Sequence, residues 1–246
     1  MLSALKNHPF PIEAYFRTSV VITFAVNPGN ISHLIPQCLE PDTFNNEHAF
    51  IAAALVDTKN LRPKGFPTVF GNDFILIGYR VFVRFTNGLG KKRRGLYILK
   101  SETNKRKMEL LGNIFTHYNY STTDILWNSL DGIVEIKSNN SGIRLRYEEG
   151  EQEVPLPTGS PFSDWREARK FAGPLPFTFT YNEKNKSVLI IEGVREGWVP
   201  GPIKVLEYKF AFLDNLNLGE LRLANAFVIR NIPYYWKAGK LEQWWP

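Results

Sequence analysis

The side chains with the clearest chemical potential lie in one short segment, Thr116–Thr123. In this segment His117 is followed by Tyr118 and Tyr120, and histidine and tyrosine side chains can both transfer protons. His117 is therefore a candidate for acid–base chemistry. The alternative is a histidine at the C-terminal end of a predicted helix, where the helix dipole favours its charged form. The sequence leaves both interpretations open.

Common catalytic and metal-binding motifs are missing from the chain. The segment Gly88–Lys92 lacks the upstream glycine and the hydroxyl residue of a phosphate-binding P-loop, and no Gly-x-Ser-x-Gly nucleophile elbow occurs. The four histidines are scattered without the spacing of metal ligands; they are His8, His33, His48 and His117. We therefore expect no metal site and no cofactor.

The composition is that of a globular protein that needs no disulfide. With 246 residues, of which 43% are hydrophobic, the chain can bury a sizeable core. Its single cysteine, Cys38, has no partner for a disulfide or a zinc site. We expect Cys38 to be buried and inert, because free cysteine packs as a small hydrophobic residue.

The formal net charge of +6 is concentrated in two basic runs, Lys91–Arg94 and Lys105–Lys107. Such runs can bind nucleic acid or anionic membranes. The first run follows the turn Asn87–Gly90, and no nucleic-acid-binding motif accompanies it. We therefore interpret the runs as a solvated hairpin tip and the outer face of a helix, and expect no nucleic-acid partner.

The N-terminal segment does not resemble a secretory signal, because polar residues and prolines interrupt it; they are Asn7, His8, Pro9, Pro11, Glu13 and Arg17. No stretch approaches about 18 uninterrupted apolar residues, so no transmembrane helix is expected. We predict a cytoplasmic protein without a membrane partner. The sequence leaves the oligomeric state open.

The elements that must position these side chains are mainly strands. Alternation of polar and apolar residues, which marks strands, is clearest in 79–85, 143–148 and 206–212. Further predicted strands are 16–26, 49–57, 94–100, 132–138, 176–181, 187–192 and 221–230. Helices are predicted at 27–35, 104–115 and 164–173, the first from an Asn-Pro start and the third from the spacing of a capping box.

Many strands with few helices favour an antiparallel barrel or stacked sheets over a parallel α/β fold. The loop 149–162 is rich in Pro, Gly and Glu, but strands of the same character continue on both sides of it. We therefore predict one domain over residues 1–246. The aromatic tail is expected to dock on the body, since it would otherwise expose a large apolar patch; it comprises Tyr234, Tyr235, Trp236, Trp244 and Trp245.

Several short segments resemble a known family when taken in order. They are the helix start Val26–Pro28, the helix end Leu34–Pro36, and then Leu39–Phe44, Leu61–Pro67 and Tyr79–Val83. Their order and spacing are similar to those of the bacterial domain of unknown function 2071 family, within the acetoacetate decarboxylase-like superfamily. Each segment alone is a weak signal, and the order makes the resemblance specific.

The resemblance, densest over residues 15–120, implies a cone-shaped antiparallel β-barrel with an internal pocket. In the decarboxylase branch a pocket lysine forms a Schiff base with the β-keto acid, shortly after the helix that corresponds to 104–116. Here no lysine occurs between Lys107 and Lys137. We therefore expect no Schiff-base decarboxylase activity, and whether the protein is an enzyme at all stays open.

The candidate ligand-binding residues are Arg80, His117, Tyr118, Tyr120, Arg17 and Glu102. Arg80 matches an arginine that the family has in this strand, and its guanidinium can hold a carboxylate through two hydrogen bonds. Arg17 matches an early family arginine. Where the family often has an acidic residue and an asparagine, this chain has Leu76 and Gly78, so we expect a less charged pocket. The alternative for Arg80 is to face solvent or to pair with a carboxylate such as Glu102.

Three hypotheses for function follow. The first is an uncharacterised pocket protein that binds a small anionic or carbonyl-bearing molecule through Arg80. The second is a lyase, isomerase or hydrolase that uses His117, Tyr118 or Glu102 for acid–base chemistry; it requires titratable groups with shifted pKa values around one cavity. The third is a structural or interaction protein with a barrel filled by side chains.

Overall fold

Long strands and short helices make up the fold, so the predicted mainly β fold class is confirmed. The computed structural model describes residues 5–149 and 154–245. Its strands are β1 (Ile12–Val26), β2 (Leu39–Pro41), β3 (Ala49–Pro63), β4 (Asn72–Thr86), β5 (Lys92–Thr103), β6 (Tyr120–Thr122), β7 (Leu126–Leu130), β8 (Ile133–Ser138), β9 (Ile143–Glu148), β10 (Phe177–Asn182), β11 (Ser187–Arg195), β12 (Gly201–Pro202), β13 (Lys204–Phe210), β14 (Arg222–Trp236) and β15 (Lys240–Gln243). Its helices are α1 (Pro28–Ile31), α2 (Arg106–Phe115), α3 (Trp165–Ala172) and α4 (Ala211–Asp214). Short 3-10 turns lie at Ser32–Leu34 and Thr68–Phe70.

The strands of the larger sheet form a closed ring. Their order is β12-β14-β1-β3-β4-β5-β10-β11-β15, with β2 beside β4 and β6 beside β5. An additional pairing joins β11 to β14, where Gly193 lies opposite Trp236 and Arg195 opposite Tyr234. This pairing closes the run β14, β1, β3, β4, β5, β10 and β11 on itself. The ring agrees with the barrel-like architecture that the sequence predicts.

The prediction of a purely antiparallel sheet is wrong in one respect. Strand β5 pairs in parallel with β10 and with β6, so the sheet is mixed. Alternation reports which side chains share a face, but it does not report the direction of the neighbouring strand. Long connections through α2, the second sheet and α3 bring these later strands alongside β5, and such connections permit parallel pairing.

A second sheet of four strands, in the order β13-β9-β8-β7, covers part of the outer face of the ring. Its apolar side chains, such as Ile136 and Leu145, share one buried cluster with Tyr79 and Val81 of β4. Residues Ala49–Thr58 of β3 are buried at every position. Both faces of that strand are covered, which explains its nearly continuous apolar sequence.

The inner face of the ring is packed over part of its length by aromatic side chains. Phe50 of β3 stacks on Phe162, with ring centroids 5.5 Å apart, and its ring centroid lies 5.4 Å from that of Phe171 in α3. Phe82 and Ala52 belong to the same buried cluster. The rest of the ring interior is the cavity described below, and the two regions share the Phe82 and Ala52 side chains.

A buried carboxylate fixes the connection between β2 and the ring. The Asp42 side chain has no solvent exposure, and its two oxygens accept hydrogen bonds from Arg84 Nε at 2.5 Å and Arg94 Nε at 2.6 Å. Arg94 also donates to the Phe171 carbonyl at 2.8 Å. Two cations around one buried anion hold β4, β5 and α3 in register.

In the basic run Lys91–Arg94, the first two residues are exposed to solvent and the last two form ion pairs. Lys91 and Lys92 are exposed at the β4–β5 turn, where the Asn87 side chain accepts from two backbone amides. Arg93 pairs with Glu242 at 2.9 Å, and Arg94 is bound to Asp42 as described. The residues of the second run, Lys105–Lys107, are exposed around the start of α2.

Several local predictions are settled by the structure. The predicted strand 206–212 ends at Phe210, and Phe212 lies in α4 instead, because the chain turns there into a single helical turn. In the aromatic tail, Trp244 packs on Tyr181 with ring centroids 5.8 Å apart, while Trp245 stays 71% exposed.

Cys38 is buried as predicted, and burial raises the pKa of its thiol to about 12, which makes it unreactive at neutral pH.

Residues 150–153, in the predicted loop 149–162, lie outside the described part of the chain. Within residues 5–149 and 154–245, no helix is long and apolar enough to cross a membrane.

Candidate functional site

The ring of strands surrounds an internal cavity of about 390 Å³. Side chains from β1, β3, β4, β5, β10, β11 and β14 line it, together with α2 and the segment after that helix. In β4 the alternate residues Leu76, Gly78, Arg80 and Phe82 face the cavity, as the two-residue period of a strand requires. A cavity of this size shows that side chains do not fill the ring interior completely.

Arg80 is the charged residue that β4 brings into the cavity. It lies opposite Ala52 of β3 and Ile98 of β5, so its nearest neighbours across the sheet are apolar. Its Nε atom is buried without a hydrogen-bond partner, and no ion pair joins Arg80 to any residue in 5–149 or 154–245. The alternative pairing with Glu102 does not form.

The electrostatic surroundings of Arg80 lower its pKa to about 10. Burial is the main cause, because it disfavours the charged form. The positive charge of Arg195 lowers the pKa further, and Tyr234 and Tyr118 oppose these effects. A pKa of about 10 still leaves the guanidinium charged at neutral pH. The cavity thus contains a half-buried cation that has no partner anion among the described residues.

Arg195, at the end of β11, is a second arginine of the cavity that sequence reasoning missed. Its guanidinium donates to the Pro174 carbonyl and lies 5.0 Å from the centre of the Trp198 ring and 6.0 Å from that of Tyr234. Its Nε atom is also buried without a partner. Ile191, Gly193 and Arg195 lie on one face of β11, and this alternation could have identified Arg195. The predicted strand ended at residue 192 and so did not include it.

Three tyrosines surround the arginines. Burial is the main cause that raises the pKa of Tyr118 and of Tyr234, and it raises the pKa of Tyr120 to about 12. Their hydroxyl groups therefore stay protonated at neutral pH and can donate hydrogen bonds. The Tyr118 hydroxyl is buried and has no hydrogen-bond partner within the described ranges.

Helix α2 positions the segment that carries these tyrosines. The Asn113 side chain accepts from the Tyr120 amide and donates to the Tyr120 carbonyl, both at 2.9 Å. Gly112 faces the Tyr120 ring so closely that a Cβ atom there would overlap it. Tyr120 then extends β6 alongside Ser101 of β5, which directs the segment toward the cavity.

His8 is a further cavity residue that sequence reasoning did not select. It is 7% exposed, and its Nε2 atom has no hydrogen-bond partner in the part of the chain that is described. Burial lowers its pKa to about 4, so the imidazole is neutral at physiological pH. The isolated position of His8 in the sequence, between Asn7 and Pro9, carries no signal for this placement.

No Lys, Asp or Glu is among the described residues that line the cavity. Lys107 is exposed on α2, and Lys137 of β8 lies 3.5 Å from Glu135. His, Cys, Asp and Glu residues of the described ranges also form no cluster of three or more that could hold a metal ion.

The structure brings three of the six predicted site residues to the cavity: Arg80, Tyr118 and Tyr120. His117 lies outside the lining and is half-buried, and its pKa is lowered by burial and by the charge of Lys6. Arg17 points to solvent and pairs with Asp57. Neither residue contacts the candidate ligand space.

Glu102 has a structural role away from the cavity lining. It is 1% exposed and accepts hydrogen bonds from Lys100 and Ser141, both at 2.7 Å, and from Tyr79 at 3.2 Å. Ser141 belongs to the turn before β9. Glu102 therefore links the ring to the second sheet.

A shallow surface pocket adjoins the cavity. Arg62, Arg195 and Tyr234 line both spaces. Arg62 is held by Glu13 at 2.8 Å and by the carbonyls of Phe66 and Asn60. The shared side chains form the wall between the cavity and the outer pocket.

Comparisons with known proteins agree with this architecture. The sequence model of the family DUF2071, described as an uncharacterized conserved protein, matches residues 13–222. No curated protein matches the chain.

Among solved structures, acetoacetate decarboxylase from Legionella pneumophila is similar with a TM-score of 0.62 and 12% identity, over 95% of this chain and 87% of that one. An acetoacetate decarboxylase-like enzyme from Sphingomonas wittichii RW1 has a TM-score of 0.60 and 11% identity, over 98% and 94% of the two chains. The enduracididine biosynthesis enzyme MppR has a TM-score of 0.59 and 10% identity, over 95% and 88%. At these identities the comparisons establish the fold but not the activity of this protein.

Proposed function

Since the chain belongs to the DUF2071 family and has an acetoacetate decarboxylase-like fold, we propose that it binds a small anionic molecule in its cavity through Arg80. The observation that carries the proposal is a half-buried arginine that faces the cavity, with a buried Nε atom that has no hydrogen-bond partner and no ion pair to a described residue. Leaving such a charge unpaired costs free energy, and a bound anion removes this cost through charge-assisted hydrogen bonds.

The other polar groups around Arg80 support the same function. Arg195 adds a second positive charge, and the hydroxyl groups of Tyr118 and Tyr234 remain protonated donors. Because the described lining contains no carboxylate, nothing there competes with an incoming anion. Carbonyl oxygens of a ligand can accept from the same hydroxyl groups.

The proposal predicts opposite effects on stability and on binding for one substitution. Replacing Arg80 by methionine, Arg80→Met, keeps most of the side-chain length and removes the unpaired charge. We expect the ligand-free protein to gain about 1 to 2 kcal/mol in free energy of unfolding, because an uncompensated, half-buried charge is lost. We expect benzoate binding to weaken at least tenfold.

The measurement is isothermal titration calorimetry with benzoate, alongside urea denaturation without ligand. Benzamide, which has the same shape without the charge, is the ligand control. Arg166 is exposed and outside the cavity, so Arg166→Met is the matched control and should leave both quantities unchanged. Equal benzoate affinities in the native protein and Arg80→Met would contradict the proposal.

A second candidate function is acid–base catalysis on the bound molecule. One observation favours it: His8, Tyr118, Tyr120 and Tyr234 all line one cavity and all have shifted pKa values. The shifts keep the tyrosines protonated and the histidine neutral, so at pH 7 only His8 can accept a proton. This function predicts an activity that is lost on acidification toward pH 4 and in His8→Asn.

A further inference from the structure

The space beside Arg80 exists because residue 78 has no side chain. Gly78 is buried, and a Cβ atom built on it would have nothing within 4 Å. Its backbone is that of an ordinary strand and does not require glycine. In a strand interior, glycine commonly marks a place where a ligand approaches the backbone. Gly78 thus leaves open space between Leu76 and Arg80.

The walls around this space are mainly apolar, although Ser101 of β5 lies opposite Gly78 and also lines the cavity. Opposite β4 lie Ala52, beside Arg80, and Val56, beside Leu76. On the other side, Ile98 of β5 is paired with Arg80. A ligand that extends from the guanidinium along β4 therefore contacts hydrocarbon, which favours an apolar body over a polar one.

The polar groups of the cavity define one cationic end. Arg195, Tyr118 and Tyr234 are close enough to Arg80 to change its pKa. Elsewhere in the lining, the side chains of Arg62 and Asn72 are hydrogen-bonded to other groups of the protein. Arg195 donates to the Pro174 carbonyl, but neither it nor Arg80 is paired with a carboxylate among the described lining residues. This arrangement suits a ligand with a negatively charged group at one end.

The volume of the cavity limits the size of the apolar part of the ligand. A protein cavity of about 150 Å³ holds one benzene, with its six carbon atoms. By that ratio 390 Å³ holds about fifteen non-hydrogen atoms, three of which belong to a carboxylate. A four-carbon keto acid would leave most of the apolar wall without contact.

We propose that the ligand is a carboxylate with an unbranched or aromatic body of up to about twelve carbon atoms. Its carboxylate binds Arg80, and its body lies along Gly78 and Leu76. This inference rests on the proposed anion site and specifies the class of molecule that the site accepts.

The experiment is a chain-length series of saturated carboxylates from butanoate to hexadecanoate, measured by calorimetry below their micelle concentrations. We expect the affinity to rise about fourfold for each added methylene and to level off at about thirteen carbon atoms. An affinity that does not depend on chain length would overturn the inference.

A variant of Gly78 tests the location of the apolar body. Gly78→Val places a β-branched side chain, which strands accommodate well, in the open space. We expect decanoate affinity to fall at least tenfold and butanoate affinity to change less than about threefold. Gly88→Val is the matched control, since Gly88 is exposed and also has nothing within 4 Å of a built Cβ. Unchanged decanoate binding by folded Gly78→Val would refute the location.

The two proposals fail in different ways. If benzoate and the short acids bind through Arg80 but chain length has no effect, the anion site stands and the ligand class is wrong. If no carboxylate binds to the native protein, the anion site itself is wrong.

Discussion

The hydroxyl group of Tyr234 lies against the backbone of Gly193, on the paired strands β14 and β11. A Cβ atom at residue 193 would overlap that hydroxyl group. The close approach occurs where β11 closes the ring of strands, two residues before Arg195. Because Gly193 has no side chain, the Tyr234 ring can occupy this position next to Arg195.

Gly193→Ala should move Tyr234 and weaken the anion site. We expect a loss of about 1 to 3 kcal/mol in free energy of unfolding, as found when well-packed sites are overfilled, and benzoate affinity reduced at least fivefold. Gly88→Ala is the matched control, because Gly88 is exposed, lies outside the cavity and has nothing within 4 Å of a built Cβ atom. Urea denaturation and calorimetry compare the two; similar losses in both variants would show that the contact with Tyr234 is unimportant.

Protonation of His8 should destabilise the fold in mildly acidic solution. Its folded-state pKa of about 4 lies below the ordinary histidine value of 6.5, so between these pH values the unfolded chain binds the additional proton. The stability contributed by neutral His8 is complete above about pH 6.5 and is lost as the pH falls toward 4. The loss amounts to at most about 3 kcal/mol.

The measurement for His8 is urea denaturation at pH 4.5 and pH 7.5 in the native protein and in His8→Asn. Residue 8 has a φ of 52°, and asparagine tolerates this left-handed backbone. The variant should lose less stability on acidification than the native protein does. Parallel losses would mean that other groups cause the acid sensitivity.

Removal of the Asp42 charge should be strongly destabilising. Asp42→Asn leaves Arg84 and Arg94 beside a neutral, fully buried amide. We expect a loss of about 2 to 3 kcal/mol, the lower end of the effect of breaking a buried ion pair, because both arginines are partly hydrated. Asp131 is exposed with a φ of 51°, so Asp131→Asn should be neutral in the same thermal and urea unfolding measurements. An equally neutral Asp42→Asn would show that the triad contributes nothing.

The protein should not form a Schiff base with acetoacetate. No lysine is among the described residues that line the cavity, so borohydride reduction in the presence of acetoacetate should leave the protein mass unchanged. A lysine-dependent acetoacetate decarboxylase, treated in the same way, is the positive control. A stable adduct on this protein, located by peptide mass spectrometry, would contradict the expectation.

The sequence predicted most strands because apolar and polar side chains alternate along them. The segment 143–148 was predicted at the bounds where it is observed. Very short strands such as β6 and β15 were missed, since three or four residues do not define a period. The helical turn at Ala211–Asp214 was missed because Phe210 and Phe212 continue the apparent alternation.

The candidate site was predicted only where one strand or one segment carried it. Arg80 could be assigned to a face of β4 by alternation, and Tyr118 and Tyr120 stood together after α2. Arg195 was missed because the predicted strand stopped at residue 192, and His8 was missed because its neighbours in the cavity are distant in sequence.

By itself the sequence determined the class of fold, the family resemblance and the absence of a lysine in the segment after α2, because these depend on local patterns and on order. Only the tertiary structure decided which residues share the cavity. Closure of the ring through β11 and β14 brings Arg195 and Tyr234 to Arg80, while Glu102 and Arg17 are satisfied by partners elsewhere. Whether a charged side chain is free or paired is a property of its surroundings in space, which the order of residues does not specify.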